Sequence, residues 1–241
     1  MCYNSRMMQI RLDKFICDFG LASRKDVKLM IKSGRVTVDG EAVNSGDMKI
    51  DADEAVVRLD GEILRHKRFH YYMMDKPAGV LTAARDKKQE TVLDILPIEL
   101  RRMGVFPVGR LDKDTTGLLL ITDDGDFAHK VISPKSGVEK VYYATVDGEP
   151  NDSDVRAFHR GVTLRDGTKC LPAGLEPLGN GACLVTVREG KYHQVKRMLA
   201  AREKPVINLR RLSIGGLKLD ESLGAGGFRE LTENELCIVL G

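Results

Sequence analysis

No apolar run in this sequence approaches the roughly 20 residues that an α-helix needs to cross a bilayer, and the opening segment Met1–Gln9 is too polar for a secretory leader. No membrane partner is expected, and the expected location is the cytoplasm. The five cysteines, Cys2, Cys17, Cys170, Cys183 and Cys237, form no C-x-x-C pair and share no metal-ligand spacing with the five histidines. That pattern argues against both a zinc site and a disulfide framework. Internal repeats and low-complexity tracts are also missing, which excludes solenoid and array architectures. The net charge of +3 is too small to mark a nucleic-acid binder by itself.

What the sequence has is length and patterning. Its 241 residues, 42% of them hydrophobic, suffice for one large or two small domains with a real core. Charge is unevenly placed. Arg6 to Arg35 holds eight Lys/Arg against three Asp, Val36 to Glu62 two against eight acidic residues, and Thr186 to Leu212 eight against two Glu. Two basic blocks far apart in the chain suit two contact surfaces for a polyanion. For either block alone, a solvated charged face is the ordinary alternative.

Residues 1–9 read as an extension with no assigned function. Leu12 to Gly20 has apolar residues at helical spacing and ends on a glycine suited to a left-handed cap. Ser23 opens a second helix with Asp26 three residues on, a capping-box variant, and Gly34 stops it. Arg24, Lys25, Lys28 and Lys32 face away from its apolar side. Asp39-Gly40, flanked by Arg35 to Val38 and Glu41 to Val43, predicts a two-residue hairpin. Two helices and a hairpin carrying R-L-D-K-F from Arg11, Ser23-Arg24 and G-R-V-T-V-D-G from Gly34 resemble the S4 (α-L) RNA-binding domain, expected over residues 10–58. That resemblance implies phosphate contacts by Arg11, Arg24, Lys25, Lys28 and Arg35.

A polar stretch over residues 59–69, with Arg65, His66, Lys67 and Arg68 at its end, reads as a linker. Beyond it, residues 70–241 alternate strands and short helices. Strands are expected at Phe69–Met74, Gly117–Thr122, Val138–Val146, Ala182–Arg188 and Asn208–Ile214. Helices are expected at Thr91–Leu96, Asp126–Ile132, Ser153–His159, Tyr192–Arg202 and Thr232–Leu236. The class is α+β on one large mixed or antiparallel sheet.

The segment from Gly109 to Gly125 sets a carboxylate beside an arginine just before an apolar run. As bare residues, Asp112 and Asp114 serve well as turn formers. A calcium loop is a second reading, since Asp112, Asp114, Gly117 and Asp123 fall at its first, third, sixth and twelfth positions. It fails chemically, because Thr116 holds the fifth position, Asp123 replaces a bidentate Glu, and Leu118 to Ile121 are apolar where oxygens should project. A metal-dependent nuclease built from Asp112, Asp114, Asp123 and Asp124 is another alternative.

Four segments in order, K-P-A-G at Lys76, G-R-L-D at Gly109, E-K-V-Y at Glu139 and E-G-K-Y-H-Q-V-K-R-M-L at Glu189, resemble the pseudouridine synthases, with R-R-L-S-I-G-G-L at Arg210 adding to the likeness. The match is to the branch that carries an S4 module and modifies ribosomal RNA. D-T-T-G-L-L-L-I-T-D-D-G with the following Ser133-Pro134 is similar to members acting on small-subunit RNA. The fold implied is a small N-terminal S4 domain joined to a larger pseudouridine synthase catalytic domain. The implied catalytic set is Asp112 as the reacting carboxylate, Lys196 as the cation beside it, and Tyr142 stacked on the uracil. Many relatives outside this branch carry Arg at the position of Lys196, and a lysine offers one point contact where arginine offers two.

Arg110 would fill the gap left by a flipped base or grip a flanking phosphate, and His193, Gln194 and Arg197 would contact RNA. Each has a bland alternative. Tyr142 could serve cross-strand packing, Arg110 a structural ion pair, and the face carrying His193, Lys196 and Arg197 plain solvation, beside an apolar stripe of Tyr192, Val195 and Leu199. The resemblance implies a monomer acting on ribosomal RNA or an assembling small subunit, without metal or cofactor. A non-catalytic S4-type RNA-binding or ribosome-assembly factor is the rival.

Overall fold

Strand β1 (Gln9–Arg11) runs into helix α1 (Leu12–Cys17), and Ser23 then caps helix α2 (Arg24–Lys32) with a full capping box to Asp26. The computed structural model describes residues 9–52, 54–64 and 67–240. Most of the expected N-terminal extension, Cys2, and the linker cations Arg65 and His66 lie outside the described residues. The chain folds as two compact units, one of residues up to 69 together with 96–105, the other of 70–95 and 106 onward.

In the first unit β2 (Val36–Val38) and β3 (Glu41–Ala42) form the expected hairpin. Both turn residues, Asp39 (φ 52°) and Gly40 (φ 89°), sit in the left-handed region that such turns require. Strand β4 (Lys49–Asp51) returns to pair with β1. The linker expectation needs correction here. Val57–Leu59 (β5) and Glu62–Leu64 (β6) pair through Asp60 (φ 51°) and Gly61 (φ 87°), a second Asp-Gly turn that the polarity of the stretch concealed. The core of this unit is Leu12, Phe15, Ile16, Val27, Ile31, Val36 and Val57. Helix α3 (Ile98–Arg102) also belongs to it. Gly20 (φ 69°) makes that possible, since a Cβ there would lie 2.1 Å from the Glu99 carbonyl oxygen.

The expected helix at Thr91–Leu96 is instead a run of turns. Asp94 accepts from the Thr91 N–H (2.9 Å) and hydroxyl (2.8 Å), and Pro97 disfavours helical geometry in the residue before it, so α3 starts only after the proline.

The second unit is organised on a nine-stranded mixed sheet. Its members are β7 (Tyr71–Lys76), β8 (Phe106–Pro107), β9 (Thr116–Thr122), β10 (Lys140–Val146), β11 (Gly174–Gly179), β12 (Ala182–Val187), β13 (Val206–Ile214), β14 (Leu217–Lys218) and β15 (Phe228–Glu230). The main path runs β11-β12-β10-β13-β9-β7-β15, with β9 and β13 parallel and the other pairs antiparallel. Leu118, Leu119, Leu120 and Ile121 of β9 are all buried, as a strand covered on both faces demands. Helices α4 (Gly125–Ile132), α5 (Asp152–Arg160), α6 (Gln194–Ala200) and α7 (Glu233–Leu240) pack around the sheet. Neither β11 nor β15 was expected. β11 carries Pro177, which lacks a ladder donor and is tolerated because this strand lies at the sheet edge.

Candidate active site

Asp112 lies on the loop between β8 and β9, and three sets of hydrogen bonds hold that loop. The Thr82 hydroxyl donates to the Leu111 carbonyl (2.7 Å) and accepts from the Leu111 N–H (3.2 Å). The Asp112 carbonyl accepts from the Thr115 N–H at 3.1 Å. From beneath, the Lys76 ammonium donates to the carbonyls of Pro77 (2.9 Å), Lys113 (3.3 Å) and Thr115 (3.0 Å). Lys76 has no exposed surface, and burial pushes its pKa down to about 8, opposed by the nearby Asp114 and Asp112 carboxylates. Residue-type reasoning gave Lys76 no role. Its place in K-P-A-G, a lysine fixed before a Pro-Gly turn, was the available signal.

Two basic side chains face Asp112 from α6 and its entry. His193 Nε2 lies 3.4 Å from Oδ1 and Lys196 Nζ 3.4 Å from Oδ2. Lys196 stands closer to Asp114, at 2.5 Å, and this hydrogen bond holds the Asp114 carboxyl below the usual carboxylate range. Asp112, Arg110, Tyr142 and His193 line one pocket together with Thr115 and Leu209. Tyr142, half-buried on β10, faces Arg211 of β13 across the ladder. Arg211 donates from Nε to the Leu118 carbonyl (2.7 Å) and from Nη1 to the Tyr142 hydroxyl (3.4 Å), with its guanidinium 5.9 Å from the ring centroid. Gly117 (φ 99°) lets β9 pass β13 at this point, because a Cβ would lie 2.3 Å from the Arg211 carbonyl oxygen.

The expected RNA contacts divide by what their donors already hold. Arg110 is exposed at the pocket, and Arg24, Lys25 and Lys28 are exposed on α2. Arg11 is instead bidentate to Asp13 (3.0 and 2.6 Å), and Arg35 to Asp60 (2.8 and 2.6 Å). Arg197 pairs with Asp166 and donates to the Tyr192 carbonyl at 3.3 Å. Gln194 is buried, with its amide donating to Glu189 (2.9 Å) and accepting from the Lys191 N–H (2.9 Å). These bonds brace the loop before α6, and Gln194 also lines the pocket that holds Asp112. Tyr192 also departs from expectation: α6 starts at Gln194, so Val195 and Leu199 are buried while Tyr192 is 72% exposed.

The nuclease reading fails on geometry. Asp123 is occupied with His70 (2.9 Å to Nδ1) and Asp124 caps α4, both beyond the far end of β9 from Asp112 and Asp114. Seven strand residues separate the pairs by about 20 Å. Among the described residues no three His, Cys, Asp or Glu side chains converge as a metal site would require.

Residues 70–201 match the family described as RNA pseudouridylate synthase, and residues 10–56 match the S4 domain. A Vibrio cholerae protein named ribosomal small subunit pseudouridine synthase A is 44% identical over 232 residues, covering 95% of this chain and 99% of its own. Its Escherichia coli K12 namesake is 40% identical over 237 residues, covering 96% and 100%. The Bacillus subtilis protein named uncharacterized RNA pseudouridine synthase YtzG is 43% identical over 231 residues, covering 94% and 97%. A crystal structure titled pseudouridylate synthase superposes with a TM-score of 0.68 at 36% identity, covering 95% of this chain and 99% of that one. The chain belongs to the RNA pseudouridylate synthase family and carries an S4 domain.

Proposed function

We propose that this S4-bearing pseudouridine synthase isomerises one uridine of small-subunit ribosomal RNA, with Asp112 as the reacting carboxylate. The substrate rests on the near full-length relatives that bear the small-subunit name. The observation that carries the site is the convergence of Lys196 and His193 on the two oxygens of Asp112, each at 3.4 Å, in a pocket shared with Tyr142.

The reaction breaks the bond between N1 of uracil and C1′ of the ribose, turns the base, and joins C5 to C1′. The C5 hydrogen is lost as a proton and N1 gains one, so atoms and redox state balance and no cofactor is called for. A carboxylate suits this sequence because it can act as nucleophile or base and then depart. Lys196 offsets its charge in a site partly screened from water. The Tyr142 ring supports the detached base, and Arg211 fixes that ring by holding its hydroxyl. Because the target atom is unreachable inside folded RNA, the uridine is extruded, and Arg110 at the pocket mouth takes the vacated space or a neighbouring phosphate. The S4 module, matched over residues 10–56, docks the RNA through Arg24, Lys25 and Lys28, and the protein works as a cytoplasmic monomer on rRNA or an assembling subunit.

The test is incubation with ribosomal RNA followed by mapping of pseudouridine, using wild type and Asp112→Asn. Wild type is expected to form product, and the variant to lose turnover while keeping RNA affinity. Failure of wild type on every rRNA tried favours the binding-factor reading. An active Asp112→Asn removes Asp112 from the reacting role.

A further inference from the structure

An aromatic ring stands uncovered at the entry to α6. Tyr192 is 72% exposed, yet its ring lies flat against that of His193, with centroids 3.8 Å apart and planes 18° apart. His193 in turn has a left-handed backbone (φ 48°, ψ 36°), which a non-glycine residue keeps only where its surroundings impose it.

Those surroundings are rigid. Buried Glu189 accepts from the Leu171 N–H (2.8 Å), from the Gln194 amide (2.9 Å) and from the Lys191 ammonium. The Lys191 N–H donates to the Gln194 side chain (2.9 Å), the Gln194 N–H donates to the Lys191 carbonyl (3.1 Å), and Arg197 holds the Tyr192 carbonyl (3.3 Å). Six hydrogen bonds thus fix a loop whose outermost product is a pair of stacked rings. A tyrosine that merely covered surface would need no such bracing, whereas a binding ring ordered in advance loses less entropy when its ligand arrives.

Position identifies the ligand. The His193 ring reaches Asp112, at 3.4 Å, and Tyr192 lies one stacking step further out. The spacing of the two rings is close to the rise of about 3.4 Å per nucleotide along a base stack. With one face of Tyr192 on His193, the other is open, and a base laid on it would extend a stack that begins at the reacting carboxylate. We propose that Tyr192 is the stacking platform for the unpaired nucleobase next to the target uridine, holding the strand open while the target is outside its own stack. This rests on the isomerase reading given above. Stacking uses the π-face that every base has, so the platform requires a flat neighbour rather than a particular one.

The experiment uses the full chain on the rRNA fragment carrying the mapped uridine. Wild type, Tyr192→Ala and Tyr192→Phe are compared on the intact fragment and on two versions with an abasic site 5′ or 3′ of the target. Tyr192→Ala is expected to lose about tenfold in kcat/KM, mostly through KM, while Tyr192→Phe stays within about twofold of wild type. On one abasic fragment wild type is expected to drop to the Tyr192→Ala level, and the alanine to cost nothing more. Losses that multiply on both abasic fragments overturn the proposal, as does a Tyr192→Phe loss equal to that of Tyr192→Ala. Product from wild type alongside an unimpaired Tyr192→Ala rejects the platform alone. Absence of product from wild type rejects the isomerase reading itself.

Discussion

Lys196 donates to Asp114 at 2.5 Å while standing 3.4 Å from Asp112. One ammonium is therefore shared between two carboxylates, and the nearer one is the more exposed, at 76% against 23% of its side chain. An exposed ion pair of this kind adds little by itself, so Asp114 can swing aside at small cost when substrate enters.

Lys196→Met is accordingly expected to reduce single-turnover pseudouridine formation by about 100-fold or more, the scale of losing one preorganised charge partner. Asp114→Asn, which leaves Lys196 to Asp112 alone, should cost less than about tenfold. Equal losses in the two variants would give Asp114 a direct part in the chemistry.

Lys76 yields a prediction with a definite sign. Its pKa lies at about 8 instead of the ordinary 10.5, because burial disfavours the charged form. Below pH 8 the side chain is charged in both folded and unfolded chains, so the burial cost is present in full. Between the two values the folded chain gives up its proton first, and stability rises with pH. Relative to Lys76→Met, wild type should gain up to about 3 kcal/mol from pH 7.5 to 10.5 in urea melts. A pH-independent difference would refute the depressed pKa. Removing the three carbonyl contacts should also lower turnover, since the Asp112 loop loses its support from below.

Charge at α2 separates free cations from committed ones. The double change Arg24→Ala and Lys28→Ala should weaken RNA binding and flatten its dependence on the logarithm of salt concentration by about 1.5. Arg35→Ala should leave that slope nearly unaltered, because its guanidinium already holds Asp60 at two points. Affinity measured at several salt concentrations decides it, and an equal effect from Arg35→Ala would mean that its ion pair opens to RNA.

Gly117→Ala should destabilise the protein by about 3 kcal/mol, from a positive φ joined to a backbone collision. The collision is with the Arg211 carbonyl, so the same change should displace the arginine that holds Tyr142. Loss of activity at temperatures where the variant remains folded would show the second effect apart from the first.

The features that depend on local spacing were legible in the sequence. The Ser23–Asp26 capping box, the Asp39-Gly40 hairpin and the apolar run of β9 each declare themselves within a few residues. Asp112, Tyr142 and Lys196 could be chosen because their motifs resemble a family. Which cations are free could not be read in full, because Asp60 and Asp166 meet Arg35 and Arg197 only after folding. Gln194 looked available for the same reason, its partner Glu189 being a residue that sequence alone places at the surface. Tyr192 misled in the other direction, since the left-handed turn at His193 delays the helix and rotates the tyrosine out of the apolar stripe.

The parallel pairing of β9 with β13 has a consequence for biosynthesis. Asp112 precedes β9, Tyr142 lies on β10, and the ladder that joins them is completed only by residues 206–214. A partly translated chain that has delivered its first domain, and even Asp112, still lacks the strand that brings aromatic ring and acid together. Synthesis must therefore be almost finished, past residues 206–214, before the pocket shared by Asp112 and Tyr142 can exist.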